Sequence, residues 1–316
     1  MFNLRSLTFL LLFLVLTPVQ ADEESSRHVL IIGVDGTRYD ALQKAKTPNF
    51  DRMIAEGGVS EDCQILGERY QKNETISGPG WSSILTGVWA DKHGVHENDF
   101  KGKHYAEYPH FMSRLPLPEK GTPTVSLDSW KPLHDHLIGP ARNIRLSKSI
   151  ELPDRTPVEF DLQMEQLATE QIAHSGPLAM FVYFHQIDTT GHAHGFHPEV
   201  PQYIEAIENV DRHLGEIAKA VETRRKTKNE NWLVIICTDH GGRGLKHSGG
   251  HDVTEIRQTF LILWQPGQKF GRKLPASEIV DVVPTALAHL QVPIDPAWKL
   301  DGQPLSLTPG TPAKPD

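Results

Sequence analysis

The sequence predicts an α/β fold built on a mainly parallel, doubly wound sheet with helices on both faces. Three observations lead there. Four short runs, at residues 28–34, 178–184, 232–237 and 259–264, are almost continuously apolar, as strands covered on both faces should be. Segments of helical periodicity separate them, and such alternation favours parallel pairing. Three of the runs also lead into an aspartate with glycine nearby.

The elements follow in order. Arg5 precedes an apolar run at residues 7–16, and Val19-Gln20-Ala21 offers a small-x-small cleavage site before Asp22. Residues 1–21 are therefore expected to be a signal peptide, and the product secreted or periplasmic. The run falls short of the roughly 20 residues a membrane span needs, so no span is expected after signal removal; an uncleaved anchor is the alternative. Thr47-Pro48 reads as the cap and first-turn proline of a helix that Gly57 ends. Residues 101–157 are richer in proline and less periodic. They are read as a loop-rich elaboration with one strand around 124–127. Across residues 201–221, Ile204, Ile207, Val210, Leu214, Ile217 and Val221 recur at helical spacing. Ser277 is expected to open a helix carrying Ile279, Val282, Val283 and Leu287. Residues 22–316 are read as one domain.

Forty acidic against 32 basic residues give a formal charge of −8. Nothing there favours a polyanionic partner, so no nucleic-acid-binding surface is expected. Of the two cysteines, Cys237 lies inside an apolar run and reads as a buried thiol.

The chemistry is expected at the carboxyl ends of the strands, where open parallel sheets bind ligands. Run 28–34 leads into Asp35, run 178–184 into Asp188, and run 232–237 into Asp239-His240-Gly241-Gly242. A single strand-end aspartate is an ordinary turn former; three arriving at one edge from distant parts of the chain are a constellation. His192 follows Asp188 in an expected loop with Gly191 and Gly195, and His247 follows His240. Gly241-Gly242 would let the chain turn so that Asp239 and His240 face one site. Carboxylates mixed with imidazoles, without thiolates, suit catalytic zinc or a similar metal. Two incomplete shells leave room for substrate, as a two-metal displacement requires.

Ser77 is the candidate nucleophile. Pro79 suits a first helical turn and Gly87 its end, which places Ser77 at a helix N-terminus, where unpaired N–H groups favour an alkoxide or phosphate. An ordinary helix cap is the plain alternative.

These segments together resemble the alkaline phosphatase superfamily, and more closely its type I phosphodiesterase/nucleotide pyrophosphatase members. GVDGTRYDAL, KAKTPNFDRMIAEG, SGPGWSSILTGVWADKHGVHENDF, QIDTTGHAHGFHP, TDHGGRGLKH and DVVPTALAHL with its DGQPL ending carry the likeness over nearly all of residues 22–316. The resemblance implies an alkaline phosphatase-like catalytic domain with two divalent metal ions, preferably zinc. One would be held by Asp35, Asp239 and His240 with the Ser77 oxygen, the other by Asp188, His192 and a third histidine. The family spacing points to His247, with His251 as the alternative. Asn98 stands where these phosphodiesterases keep an asparagine that donates to a non-bridging phosphate oxygen, and the Gly78 N–H would assist it.

The implied activity is hydrolysis of a small-molecule phosphoester, of phosphodiesterase type, through a phosphoseryl intermediate on Ser77. A phosphomonoesterase would need extra positive charge around the phosphate, for which Arg38, Lys92 and Arg243 lie near the motifs. A sulfatase would need Cys/Ser-x-Pro-x-Arg, and Trp81 replaces that arginine. A non-catalytic binding protein would be expected to have lost ligands. Trp89, Phe100, Tyr105, Tyr108 and Trp130 are aromatic residues that could stack on a base, with packing as the default.

Overall fold

The central strands are apolar on successive residues because both sides of the sheet are covered. In the computed structural model, which describes residues 25–65, 74–116, 123–149 and 156–308, strand β1 (Arg27–Val34) lies between β5 (Ala179–Phe184) and β6 (Asn231–Cys237). All three run parallel, with Ile31 level with both Phe181 and Ile235. Alternate residues feed two separate cores. Val29 and Ile31 join Trp81, Phe181 and Ile235 on one face, while Leu30 and Ile32 join Val182, Val234 and Ile236 on the other. The expected signal peptide lies outside the described residues. Among the described residues no helix is long and apolar enough to cross a membrane.

The remaining strands are β2 (Gly58–Gln64), β3 (Thr124–Asp128), β4 (Leu146–Ser149), β7 (Gln258–Trp264), β8 (Arg272–Lys273) and β9 (Ser277–Glu278). The order is β4-β3-β5-β1-β6-β7-β2-β8, with β9 also paired to β2. The sheet is mostly parallel, as expected, but β7 runs antiparallel to both β6 and β2. A hydrophobic run reports burial and not direction, so this reversal left no mark in the sequence.

Helices α1 (Tyr39–Lys44), α2 (Pro48–Glu56), α4 (Pro157–Ser175) and α6 (Pro201–Lys228) put Leu42, Phe50, Met164 and Val210 into one core. Helices α3 (Ser77–Thr86) and α7 (Val282–His289) put Trp81, Ile84, Val283 and Leu287 into the other. Two boundaries differ from expectation. The helix expected over 201–221 continues to Lys228 and ends on left-handed Asn229. Ser277 opens no helix: it lies in β9, where its backbone pairs with Cys63 and its hydroxyl donates to Ser60 Oγ, and α7 begins at Val282. Tertiary pairing has overridden the local pattern there. Cys63 and Cys237 are both free and buried.

Candidate metal centre and nucleophile

Because β5, β1 and β6 are adjacent and parallel, their carboxyl ends deliver Asp35, Asp188 and Asp239 to one edge. Asp188 and His192 lie on helix α5 (Gln186–His194), where a loop was expected. Their i, i+4 spacing puts both on one helix face. Asp161, fully buried on α4, anchors the start of α5 by accepting the His185 and Gln186 N–H groups at 3.2 Å each.

The constellation closes around His240. Its Nε2 lies 3.3 Å from Asp239 Oδ2, 3.5 Å from Asp35 Oδ1 and 3.4 Å from Ser77 Oγ. One ligand atom from each of Asp35, Asp239 and His240 falls within a 4.8 Å group, and so does one from each of Asp188, His240 and His247. His192 Nε2 and His247 Nε2 lie 3.6 Å from Asp188 Oδ2 and Oδ1 respectively. The third histidine brought to this corner is His247; neither group contains His251, whose carbonyl accepts from Arg257. His194 and His197 are exposed.

Two features fit this corner to cations. First, Asp35 Oδ1, Asp188 Oδ1 and Asp239 Oδ2 are buried with no hydrogen-bond partner, which a native fold does not tolerate without compensation. Burial, reinforced by the Asp35 charge, pushes the Asp188 and Asp239 carboxyls well above the ordinary range. Second, each imidazole uses Nδ1 on a main-chain carbonyl: His192 on Leu245 at 3.0 Å, His240 on Gly241 at 2.8 Å, His247 on Thr75 at 2.9 Å. A carbonyl can only accept, so Nδ1 carries the proton and Nε2 presents a lone pair. The Nε2 atoms of His192 and His247 consequently face each other at 2.9 Å as two acceptors, an arrangement that a shared cation relieves. Burial, with the neighbouring His240, drives His247 down to about 2, so it does not supply that charge by protonation.

The glycines act mainly by permitting close approach. Gly36 is left-handed at φ +65, and a Cβ there would stand 2.7 Å from Asp188 Oδ1. Asp239 and His240 do share one group, and neither Gly241 nor Gly242 has a positive φ. A Cβ at either would collide, with Glu255 O at 2.0 Å or the Phe196 ring at 2.2 Å.

Ser77 is the first residue of α3, 8% exposed, and the cap position falls on Ile76. Its hydroxyl is therefore not spent as a helix cap and points at His240. Asn98 is beside it, but the Gly78 N–H donates to Asn98 Oδ1 at 2.7 Å. That bond fixes the amide so that Nδ2 is left as the donor. Gly78 thus orients Asn98 here, where a shared role at the phosphate was expected.

Sequence reasoning missed three contributors. Tyr183 and Trp81 both donate to Asp35 Oδ2, at 2.6 and 2.8 Å. Thr75 holds the His247 loop through its carbonyl and hydroxyl. A tyrosine in the middle of an otherwise apolar strand was the available signal, since a buried phenol needs a partner. Of the three cations flagged near the motifs, Arg38 and Lys92 are engaged elsewhere. Arg38 is fixed by Asp40 and the Phe196 and Gly242 carbonyls, Lys92 pairs with Asp301, and Arg243 is exposed. Trp89, Phe100 and Tyr108 are buried, and Tyr105 and Trp130 pack on the same core.

Ectonucleotide pyrophosphatase/phosphodiesterase family member 7 of Homo sapiens is 25% identical over 250 residues, 71% of this chain and 49% of that protein. The chain thus spans about half the length of the curated relatives it matches. Among solved structures, a 2-O GAG sulfatase superposes with a TM-score of 0.64 at 14% identity, covering 86% of this chain and 72% of the other. Human ectonucleotide pyrophosphatase/phosphodiesterase 5 gives 0.59 at 15%, covering 85% and 96%. At such identities these two report the alkaline phosphatase-like fold alone. The profile of the family described as type I phosphodiesterase / nucleotide pyrophosphatase matches residues 29–136 and 122–262. The chain belongs to the type I phosphodiesterase/nucleotide pyrophosphatase family.

Proposed function

We propose that the protein is an exported two-metal phosphoester hydrolase of phosphodiesterase type, with residues 22–316 as its catalytic domain and Ser77 as its nucleophile. The observation that carries this reading is the position of Ser77 Oγ, 3.4 Å from the one imidazole that belongs to both carboxylate–histidine groups. Asp35, Asp239 and His240 would hold one divalent ion, and Asp188, His192 and His247 the second; the nitrogen and oxygen donor set favours zinc. When bound, the ions neutralise charge on the attacking and leaving oxygens.

The chain's own residues do the rest. Ser77 Oγ attacks phosphorus in line as the bond to the leaving oxygen breaks, the serine proton departs with that leaving group, and a phosphoseryl ester that keeps the substrate's other ester group forms. Unpaired N–H groups of the first α3 turn favour the anionic serine. Asn98 Nδ2 donates to a non-bridging oxygen, held in orientation by Gly78. Water then attacks this phosphoseryl ester and returns Ser77 to its hydroxyl form.

A small-molecule phosphodiester or pyrophosphate fits best. Asn98 is a neutral donor, and Arg38 and Lys92 are committed to Asp40 and Asp301, which suits a monoanion better than the dianion of a monoester. A sulfatase reading lacks its arginine, since Trp81 occupies that place. The test is hydrolysis of nitrophenyl diester, monoester and sulfate by zinc-loaded protein, alongside Ser77→Ala. The diester should be preferred, and the variant should lose at least about 10³-fold in kcat while keeping its metal. Wild-type turnover in the variant would reject Ser77, and preference for the monoester or sulfate would reject the diester assignment.

A further inference from the structure

Asp35 is held asymmetrically. Its Oδ2 accepts two hydrogen bonds, from Tyr183 Oη at 2.6 Å and from Trp81 Nε1 at 2.8 Å. Its Oδ1 is buried without a hydrogen-bond partner and faces His240 Nε2 at 3.5 Å. A carboxylate free to rotate would share donors between its oxygens. Here both donors converge on one.

The two donors are themselves fixed. Tyr183 sits on β5 directly level with Gly33 of β1. A Cβ on Gly33 would come within 2.3 Å of the Trp81 ring, so the indole lies flush against the strand because that residue is glycine. Trp81 and Tyr183 meet edge to face at 5.3 Å, and both are almost wholly buried. Trp81 also lies four residues beyond Ser77 on α3, one helical turn along the same face.

We propose that Trp81 and Tyr183 are positioning residues that pin Asp35 so that Oδ1 alone is offered to a cation, and that the Trp81 indole ties the Ser77 helix to that same carboxylate. The inference rests on the metal role proposed above for Asp35. Groups that orient a ligand in this way typically account for about 10–100-fold in metal affinity or activity.

Tyr183→Phe removes only the hydroxyl, and Trp81→Phe removes the N–H while keeping a ring. Zinc affinity is measured by competition with a chromophoric chelator, and ligand geometry by the visible spectrum of the cobalt(II)-loaded protein, with Asp35→Asn as control. Tyr183→Phe is expected to bind metal about 10–100-fold more weakly and to shift the cobalt band, with the far-ultraviolet circular dichroism of the fold preserved. Trp81→Phe is expected to shift the same band, which keeps the test decisive should Tyr183→Phe not fold. If Asp35→Asn loses metal while the phenylalanine variants match wild type in affinity and spectrum, the positioning role is overturned and the metal reading stands. If wild type binds neither zinc nor cobalt, the metal reading itself fails.

Discussion

Replacing Asn98 separates catalysis from stability, because its two amide ends have different partners. Oδ1 accepts the Gly78 N–H at 2.7 Å, and Nδ2 is the end left for a phosphate oxygen. Asn98→Ala removes both. Loss of the donor should cost about 10²–10³ in kcat, equivalent to about 2.7–4 kcal/mol, with a smaller change in KM. Loss of the acceptor leaves the Gly78 N–H unpaired in a partly buried place, at about 1–3 kcal/mol of stability. Asn98→Asp keeps an acceptor for Gly78 but turns an anion toward the phosphate. It should melt near wild type and be at least as slow as the alanine variant. The assay is kcat and KM on a nitrophenyl phosphodiester at fixed zinc, paired with thermal unfolding. An alanine variant within about threefold of wild-type kcat, well below the loss expected of a transition-state donor, would refute the reasoning. So would an aspartate variant that stays active.

Four further outcomes follow from the structure. Free metal at about 100 times Kd adds about 2.7 kcal/mol per site, so two filled sites should raise Tm by about 10 °C in a chain of this length, reversibly with EDTA; an unchanged Tm would remove the ions from the account. Since Asp188 and Asp239 lie above the ordinary carboxylate range, the metal-free fold holds protons that the unfolded chain releases. Its stability therefore falls as pH rises from that range toward the raised values, and the zinc-induced gain should be larger at pH 8 than at pH 5. His93 and His110 are fully buried and pushed by burial from 6.5 down to about 3. Their contribution is complete above pH 6.5 and is lost as pH falls toward 3, at about 2 kcal/mol each by pH 5. Urea unfolding of His93→Gln at pH 7 and pH 5 should show a shallower pH dependence than wild type, and an identical slope would contradict it. Gly33→Ala would place a Cβ 2.3 Å from the Trp81 ring and should cost about 1–3 kcal/mol by overpacking; an unaffected melting temperature would show that the indole can move.

Periodicity and strand-end acids made the core of this protein legible in one dimension. Residues 28–34, 178–184 and 232–237 are almost continuously apolar because they are covered on both sides, and parallel pairing of these strands brings Asp35, Asp188 and Asp239 to one edge. Strand β2 was not legible: its Ser60, Glu61, Asp62 and Gln64 break any apolar run, and it exists by pairing with β7 on one side and β8 and β9 on the other. The same holds for β9, whose two residues are strand only because β2 lies beside them.

Residue identity and strand-end position picked out Ser77, the carboxylates and the imidazoles as candidates, because metal and phosphate chemistry requires such side chains, and the family resemblance added Asn98. Only the tertiary structure decided how they are aimed. It brings the His247 ring beside Asp188 and His240, gives the Gly78 N–H to Asn98, and sets two donors on one oxygen of Asp35. Those choices depend on distances between segments far apart in the chain, such as Thr75 with His247 and Trp81 with Asp35. Local sequence encodes which groups are present, whereas hydrogen-bond direction is fixed only once packing brings the partners together.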